Sequence, residues 1–557
     1  MESLPCNISQ YLLNRLNDLG SKHLFGVCGD VVLGFMEQVT KGPVKQINCC
    51  NELNAGYAAD GYARLHGLGT VVTTFTVGPL SAINAIAGSF AEHVPVVMIA
   101  GAPERHHALA SRMLHHTLGK KYGVAREMFR DITVACEYLE DPAKIPQQID
   151  SALAKCLFYK KPIYLELPAD LVVHPCSPPG KFQFLEKTSD LGTLLEAQQE
   201  VCSALQAAKQ PIILLGWEVI RHGLQEKVRT FIEKTGYPFC VFPTAKTALS
   251  EDHPQFLGVY QGGWSREAVR KGVEDADCVL MLGGFLIDSD TGGFTAKLDK
   301  NKLIMANFQN TMVKHHDYQE VYLSELLDKL IEKNVDKKEL PSFIPAVKAL
   351  EETHDYTPEA NAKLTIKRFF KRIASFLQPD DIVVADVGES LYSTTPMLLP
   401  NGVTFVSQAF YNSIGFSVGA ALGASTFQKR RTLLFVGDGS FQIGAQEIST
   451  MINYKCRTIV FVINNDGYGI ERAIYDGPYN DLSAWRYHLL PQALGGDPGL
   501  LVQTEGELEE ALYIAEKSKT LTFIEIRVDK FDFGDILRKA GAAMAESSKN
   551  SYEPRAT

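Results

Sequence analysis

Residues 432–470 read TLLFVGDGSFQIGAQEISTMINYKCRTIVFVINNDGYGI. The stretch contains two apolar runs of strand length, and a segment of helical length separates them. The first run ends in the polar motif at 437–440, and the second ends in the polar motif at 464–467. Buried strands on either side of a helix are typical of a parallel sheet. The pattern therefore predicts two neighbouring parallel strands whose ends bring both motifs together.

The two motifs have the chemistry of a site for a metal-bound diphosphate. Glycines between a strand and a helix let backbone N–H groups approach a phosphate, and the helix N-terminus favours negative charge. The side chains of Asp438 and Asn465 and the main-chain carbonyl of Gly467 can supply three hard oxygen ligands to Mg²⁺. The predicted cofactor contacts in this stretch are Gly437, Asp438, Gly439, Ser440, Asn465, Gly467 and Tyr468.

Similar apolar runs recur along the whole chain, for example TVVTTFTVG at 70–78 and DIVVADVG at 381–388. Two polar stretches interrupt this pattern and have the composition of linkers, CSPPGKFQFLEKTSD at 176–190 and the charged residues between about 332 and 363. We predict an α/β fold of three consecutive domains, each a mainly parallel sheet flanked by helices. The predicted domains cover residues 1–180, 190–335 and 360–557.

The composition limits the range of partners. A net charge of -10 over 557 residues argues against binding of nucleic acid, which depends on clustered Lys and Arg. The sequence has neither an apolar stretch of spanning length nor a signal-like N-terminus, so we expect no membrane insertion and a cytoplasmic protein. The 11 cysteines form no C-x-x-C pair and are expected to be free thiols, with Cys49 and Cys50 in the core.

The spaced GDG and NN motifs resemble those of the thiamin diphosphate enzymes. NELNAGYAADGYAR at 51–64 is similar to the family segment that places a glutamate against the aminopyrimidine ring, which identifies Glu52. YNSIGFSVGAALGA at 411–424 resembles the segment that supports the folded cofactor through an apolar residue, here Ile414. The resemblance implies thiamin diphosphate and Mg²⁺ as cofactors, with Asn412 and Ser413 as further contacts.

Three more motifs resemble those of the pyruvate, indolepyruvate and branched-chain 2-oxo acid decarboxylases. GVCGD at 26–30 gives Asp30, RMLHHTLG at 112–119 gives His115 and His116, and NNDGYGIER at 464–472 gives Glu471. The resemblance implies conversion of a 2-oxo acid into an aldehyde and CO₂, with these groups and Glu52 as the catalytic residues. It also implies an active site between the first domain of one subunit and the third domain of another, which requires at least a homodimer. Members of the family are usually homotetramers, so a homotetramer is expected.

Some positions depart from the family pattern. In ADVGESLYSTTP at 385–396, Gly388 and Glu389 stand where relatives contact the diphosphate, but relatives often have Thr or Asp in place of the glutamate. Cys28 replaces a proline, and Thr76 replaces a glycine that lies close to the cofactor in relatives.

The substrate pocket is expected to be roomy and apolar. Small or flexible side chains on the C-terminal segment stand where relatives often have larger ones. The interpretation favours branched-chain, long-chain or aromatic 2-oxo acids over pyruvate. The predicted lining residues are Leu391, Tyr392, Ile470, Ala540 and Met544.

Four alternatives are weighed beside this interpretation. A carboligase of the acetolactate synthase or benzaldehyde lyase type would share the cofactor, but the paired histidines and Glu471 argue against it. A pyruvate-preferring decarboxylase differs only in its pocket. A nicotinamide dehydrogenase would require a G-x-G-x-x-G motif after an early strand, which is missing here. A catalytically silent paralogue would be expected to lack Glu52 or Asp438, and both are present.

Overall fold

The structure is a computed structural model that describes residues 6–333, 335–339, 356–427 and 429–552, with side chains described as far as residue 546. Three large sheets follow one another along these residues, each flanked by helices. The predicted α/β architecture of three consecutive domains is therefore confirmed. Much of the charged linker predicted between 332 and 363 lies outside the described residues, and the exact domain limits stay predictions.

The first domain contains a parallel sheet with strand order β3-β2-β4-β5-β7-β6. A short antiparallel pair, β1 and β8, joins the two ends of this part of the chain. The strands are β1 Cys6–Asn7, β2 His23–Gly26, β3 Lys45–Asn48, β4 Gly69–Thr73, β5 Val96–Ala102, β6 Cys136–Tyr138, β7 Ile163–Pro168 and β8 Pro175–Cys176. The helices are α1 Ile8–Asp18, α2 Leu33–Lys41, α3 Glu52–His66, α4 Val77–Ala91, α5 Arg105–Leu109, α6 Val124–Phe129 and α7 Ile145–Tyr159.

The middle domain has a mixed sheet with strand order β11-β10-β9-β12-β13-β14-β15. Its first five strands are parallel, and the last two add an antiparallel edge. The strands are β9 Pro211–Leu215, β10 Phe239–Val241, β11 Phe256–Val259, β12 Cys278–Leu282, β13 Leu303–Ala306, β14 Asn310–Val313 and β15 His316–Gln319. The helices are α8 Leu191–Ala207, α9 Glu218–Arg221, α10 Gln225–Thr235, α11 Glu267–Glu274 and α12 Leu323–Glu332.

The third domain contains a parallel sheet with strand order β17-β16-β18-β19-β21-β20. The strands are β16 Ile382–Ala385, β17 Thr404–Val406, β18 Thr432–Gly437, β19 Thr458–Asn464, β20 Leu500–Val502 and β21 Thr522–Arg527. The helices are α13 Ile366–Phe376, α14 Glu389–Thr394, α15 Phe416–Ser425, α16 Asp438–Gly444, α17 Ile448–Asn453, α18 Gly469–Ile474, α19 Leu490–Ala493, α20 Glu505–Lys517 and α21 Asp535–Tyr552.

Helices α3 and α15 join the first and third domains through a seam of small residues. A Cβ atom on Gly61 would lie 2.2 Å from the carbonyl oxygen of Ala420, and one on Gly423 would lie 1.9 Å from that of Ala58. Only glycine permits such close contact between two helix backbones. Apolar side chains from both domains continue around the seam as a single buried core. The two domains therefore pack together as one body here.

A buried ion pair joins the middle domain to the third. Lys246 Nζ lies 2.8 Å from Glu251 Oε1, and the two side chains are 0% and 2% exposed. Lys246 also donates to the carbonyl of Met397, while the other oxygen of Glu251 accepts from the N–H of Leu399. Each charge is thus compensated by its partner and by the backbone of the neighbouring domain.

Two further expectations can be compared with the structure. All 11 cysteines are free thiols. Cys49 is buried, but Cys50 is exposed, which corrects the expectation that both belong to the core; its sulfur lies 3.3 Å from the carbonyl oxygen of Gln446. Among the described residues, no helix is both long and apolar enough to cross a membrane.

Replacing Lys246 by Met should destabilise the protein by about 3 kcal/mol, because Glu251 would remain buried without its partner. Calorimetry should then record an apparent Tm several degrees lower. Lys271→Met is the matched control, since Lys271 pairs with Glu267 on the exposed side of one helix. That change should cost about 0.5 kcal/mol or less. Equal Tm values for the two variants would contradict the role assigned to the buried pair.

Candidate active site

The GDG and NN motifs meet at one edge of the third sheet. Strands β18 and β19 are paired in parallel, with Gly437 opposite Ile463, so both strands end at the same level. Asp438 Oδ1 accepts from the N–H of Gly439 at 2.8 Å, and Oδ2 accepts from the N–H of Gly467 at 3.0 Å. One carboxylate thus joins the two motifs, and the predicted juxtaposition is found.

The surroundings of Asp438 suit a bound cation. The residue is 1% exposed, and burial raises the pKa of its carboxyl to about 7, against the opposing effect of the two N–H donors. A nearby divalent cation would favour the ionised carboxylate. Asn465 is also buried and adds an amide oxygen. Carboxylate, amide and carbonyl oxygens at one strand edge are the donor types that Mg²⁺ prefers.

The same edge has room for a diphosphate. A Cβ atom added to Gly388 or Gly437 would meet no heavy atom within 4 Å, so both backbones face open space. Gly388 also has a φ of +83°, which favours glycine. At Gly439, by contrast, a Cβ would lie 2.5 Å from the ring of Tyr468. The ring therefore closes one side of the edge while the two other glycines leave it open.

Arg472, which the sequence analysis did not single out, holds the loop that follows the NN motif. Its guanidinium is fully buried and lies 3.0 Å from Asp481. It also donates to the carbonyl oxygens of Asp466 and Asn480. These contacts fold the loop back on itself and fix Gly467 beside Asp438. A single basic residue in a polar motif gave no signal of this role.

Asp386 is a second residue that the sequence analysis missed. It follows β16 directly, and its carboxylate accepts from the N–H of Ser417 at 3.0 Å and that of Gly415 at 3.4 Å. Burial raises the pKa of this carboxyl. Asp386 thereby fixes the segment that carries Ile414, whose side chain is 36% exposed. Its position as the acidic residue at the end of the DIVVAD run is the sequence feature that could have identified it.

The remaining predicted cofactor contacts lie in different surroundings. Ser413 shares a hydrogen bond of 2.7 Å with the hydroxyl of Tyr57, whereas Asn412 is exposed with a φ of +54°. Ser440 is buried in the first turn of α16. Glu389 accepts from the N–H of Gly534 at 3.0 Å, and burial raises the pKa of its carboxyl. Its carboxylate is therefore directed at the C-terminal segment.

Glu52 is the first residue of α3, where the Asn51 side chain caps the helix by accepting from the N–H of Asn54. Its carboxylate lies next to Gly78, since a Cβ on that glycine would be 3.4 Å from Glu52 Oε1. Thr76 is close by in a strained γ-turn, with φ of +49° and a 2.6 Å hydrogen bond from the N–H of Val77 to the carbonyl of Phe75. Strain of this kind at a β-branched residue is typical of functional sites.

Asp30, His115 and His116 form a second group in the first domain. His115 Nε2 lies 2.9 Å from Asp30 Oδ2, and both side chains are largely exposed. The two histidine rings meet edge to face, with centroids 4.6 Å apart. His116 Nδ1 is buried and makes no hydrogen bond to any described residue. The structure thus brings these three predicted residues together.

Among the described residues, no hydrogen bond or ion pair joins Glu52, Asp30 or His115 to Asp438 or Glu471. Glu471 itself is exposed at the start of α18.

Two of the five predicted pocket residues are buried between helices. Ala540 is 0% exposed, and Leu391 is also buried, so neither borders open space in this chain. Ile470 and Met544 are partly buried. Tyr392 stands edge to face with Trp264 and borders a cavity of about 560 Å³ between the middle and third domains. Of the five, Tyr392 alone lines this cavity.

Comparison with known proteins identifies the family of this chain. Models of the N-terminal, central and C-terminal domains of thiamine pyrophosphate enzymes match residues 6–123, 198–326 and 386–526. A pyruvate decarboxylase of Aspergillus fumigatus is 34% identical over 98% of this chain and 98% of its own length. The chain belongs to the thiamin-diphosphate-dependent 2-oxo acid decarboxylases.

Other relatives of the decarboxylase are also similar to it over nearly the whole length of both chains. Pyruvate decarboxylase 3 of Arabidopsis thaliana is 35% identical, with 99% of this chain and 96% of the relative covered. An alpha-keto-acid decarboxylase of Mycobacterium leprae is also 35% identical, with 95% and 94% covered. The decarboxylase is therefore a carbon–carbon lyase, and its thiamin diphosphate cofactor follows from the family.

Replacing Asp438 by Asn in the decarboxylase should weaken binding of thiamin diphosphate at a fixed Mg²⁺ concentration by at least about tenfold, because a charged oxygen donor is lost. Quenching of intrinsic fluorescence during titration of the cofactor-free protein measures this. Asp466→Asn is the control in the same motif, since Asp466 makes a half-exposed ion pair with Arg527. Its affinity should stay close to that of the wild type. Unchanged binding by the Asp438 variant would remove the carboxylate from the cofactor site.

Proposed function

We propose that the decarboxylase acts on branched-chain, long-chain or aromatic 2-oxo acids and uses Mg²⁺ to hold the diphosphate. The bridge that Asp438 makes between the two strand-end motifs is the observation that carries the cofactor assignment. The preference for larger substrates rests on the family resemblance, in which Ala540 and Met544 stand where relatives often have larger side chains. The cavity bordered by Tyr392 contains none of the proposed cofactor or catalytic residues and does not support this preference. A preference for pyruvate is the second candidate, and the names of several relatives favour it.

The chain holds the cofactor at the edge of the third sheet. Asp438, Asn465 and the Gly467 carbonyl are the proposed Mg²⁺ ligands, and the glycines at 388 and 437 leave room for the diphosphate. Ile414, fixed through Asp386, provides an exposed apolar surface for the cofactor rings. When bound, thiamin diphosphate supplies the nucleophilic carbon that adds to the substrate carbonyl, and the cofactor also accepts the electron pair left behind when CO₂ departs.

The remaining residues are assigned to proton transfer. Glu52 is assigned to the aminopyrimidine ring, where a carboxylate favours the reactive tautomer. The hydrogen bond between Asp30 and His115 orients the imidazole and joins two groups that can pass a proton to the developing aldehyde. His116 presents a buried nitrogen that lacks a partner among the described residues, and Glu471 lies at the exposed start of its helix. These two groups complete the proposed set of proton donors.

We further propose that two copies of the chain build each active site, as the family resemblance implies, with a tetramer formed from two such dimers. The lack of any hydrogen bond or ion pair between Glu52 and Asp438 among the described residues supports this arrangement. Exposed apolar side chains on the segments that carry the predicted site residues also support it, since water would otherwise surround them. These side chains are Leu33, Val77, Leu109, Met113, Leu118, Ile414 and Ile443.

The activity is tested with purified protein, thiamin diphosphate and Mg²⁺ on pyruvate, 2-oxoisovalerate, 2-oxooctanoate, phenylpyruvate and indolepyruvate in separate assays. An added aldehyde reductase reports the aldehyde. We expect the larger acids to give the higher kcat/KM and Glu52→Gln to lower kcat by about a hundredfold or more, as for a lost proton-transfer group.

Each outcome separates the candidates. A higher kcat/KM for pyruvate would reject the proposed pocket and retain the decarboxylase. Carbon dioxide released with a coupled hydroxyketone in place of free aldehyde would indicate a carboligase. Full activity of Glu52→Gln would remove Glu52 from the mechanism.

Mixing two inactive variants tests the shared active site. Glu52→Gln and Asp438→Asn subunits are combined by mild dissociation and reassociation, at a thiamin diphosphate concentration that saturates the wild type but leaves Asp438→Asn largely without cofactor. If each site takes Glu52 from one chain and Asp438 from the other, a mixed dimer regains one intact site of two. Random pairing should then restore about a quarter of wild-type activity, because half of the dimers are mixed. A mixture no more active than its separate components would place both residues of a site in one chain.

A further inference from the structure

The segment between β5 and the paired histidines carries a second polar group that the proposed mechanism does not use. It consists of Glu104, His106 and His107, which stand at the start of α5. One potential ligand atom from each residue lies within 4.8 Å of the others. His106 Nδ1 is 3.1 Å from Glu104 Oε2, and the centroids of the two imidazole rings are 3.9 Å apart.

We propose that Glu104, His106 and His107 bind a divalent transition-metal ion of the zinc type. Two imidazoles and one carboxylate form a donor set that suits Zn²⁺, and water would fill the remaining position. Ligand atoms about 2 Å from a tetrahedral zinc ion lie roughly 3.3 Å from one another. The three ligand atoms, now within 4.8 Å of one another, would have to approach this spacing when the ion binds. The donor set differs from the all-oxygen Mg²⁺ ligands in the third domain.

The charges around the site allow a cation to enter. Arg105 is held by Asp170, with Nε 2.7 Å from Oδ2, so a carboxylate offsets its charge. Arg112 lies 3.4 Å from His107 Nδ1, so His107 would bind the metal through Nε2, and the guanidinium is a positive charge that the site would have to accommodate. Glu104 contributes the negative charge of the site itself. Because the side chains of Glu104 and His106 are 50% and 56% exposed, they lose little hydration when the ion binds.

A bound ion would act on the backbone near the active site. Glu104 follows β5 closely, whereas His106 and His107 lie on the short helix α5, and the same segment continues to His115. Coordination by all three residues would fix α5 against the end of the strand. The ion would thereby restrict the segment that carries the proposed proton donors, without a ligand from the Asp30 and His115 pair.

Calorimetric titration with ZnCl₂ tests the proposal on the full chain, freed of trace metals and loaded with thiamin diphosphate and Mg²⁺ at pH 7.5. We expect one Zn²⁺ bound per chain, with affinity at least about tenfold weaker in His106→Ala and in His107→Ala. His315→Ala is the matched control, because His315 is exposed and, among the described residues, its ring bonds to Asn301. Its zinc affinity should equal that of the wild type.

Two further readouts distinguish coordination by histidine from loose association. Zinc affinity should fall in acidic solution, because protons compete with the metal for the imidazole nitrogens. Co²⁺ should give visible absorption bands that disappear in His106→Ala. Wild-type zinc affinity in both histidine variants would overturn the proposal and place the metal elsewhere, for example at His115 and Asp30. Titration without a saturable heat would overturn it as well.

Discussion

The third domain depends on one buried carboxylate that accepts from two backbone N–H groups. Asp438 bonds to its neighbour Gly439 locally, but it can reach Gly467 only because β18 and β19 are adjacent, parallel and in register at their ends. Any slip between these strands would separate the motifs and remove one of the donors to a buried carboxylate, which is costly. The geometry of the cofactor site therefore depends on the pairing of these two strands. Arg472 stabilises the same arrangement by fixing the loop that carries Gly467.

Much of the architecture could be predicted from local patterns. Apolar runs of strand length marked the sheets, and polar motifs at their ends marked the edge where Asp438 and Asn465 meet, because parallel strands place equivalent ends together. The grouping of Asp30 with His115 followed from the family resemblance and not from spacing. Local patterns also indicated a linker after the first domain. In each case the signal lay within a few consecutive residues or in a familiar motif.

The features that escaped prediction depend on contacts between distant parts of the chain. Lys246 and Glu251 look like ordinary surface charges in sequence, yet they are buried between two domains. Glu389 lies in the expected segment but is directed at Gly534, and Ala540 is packed between helices because α21 folds onto the third domain. Cys50 differs in exposure from its neighbour Cys49, since adjacent residues outside a buried strand face different surroundings.

The glycine seam between α3 and α15 has a consequence for synthesis of the protein. Helix α3 leaves the ribosome long before α15 is made. The face around Gly61 and Ala58 therefore stays uncovered until a segment about 360 residues further along the chain has been synthesised. Until then an apolar surface of the first domain is accessible to other nascent chains and to chaperones. A fragment that ends before α15 would retain this exposed surface permanently, so the first domain is a poor candidate for expression as an independent unit.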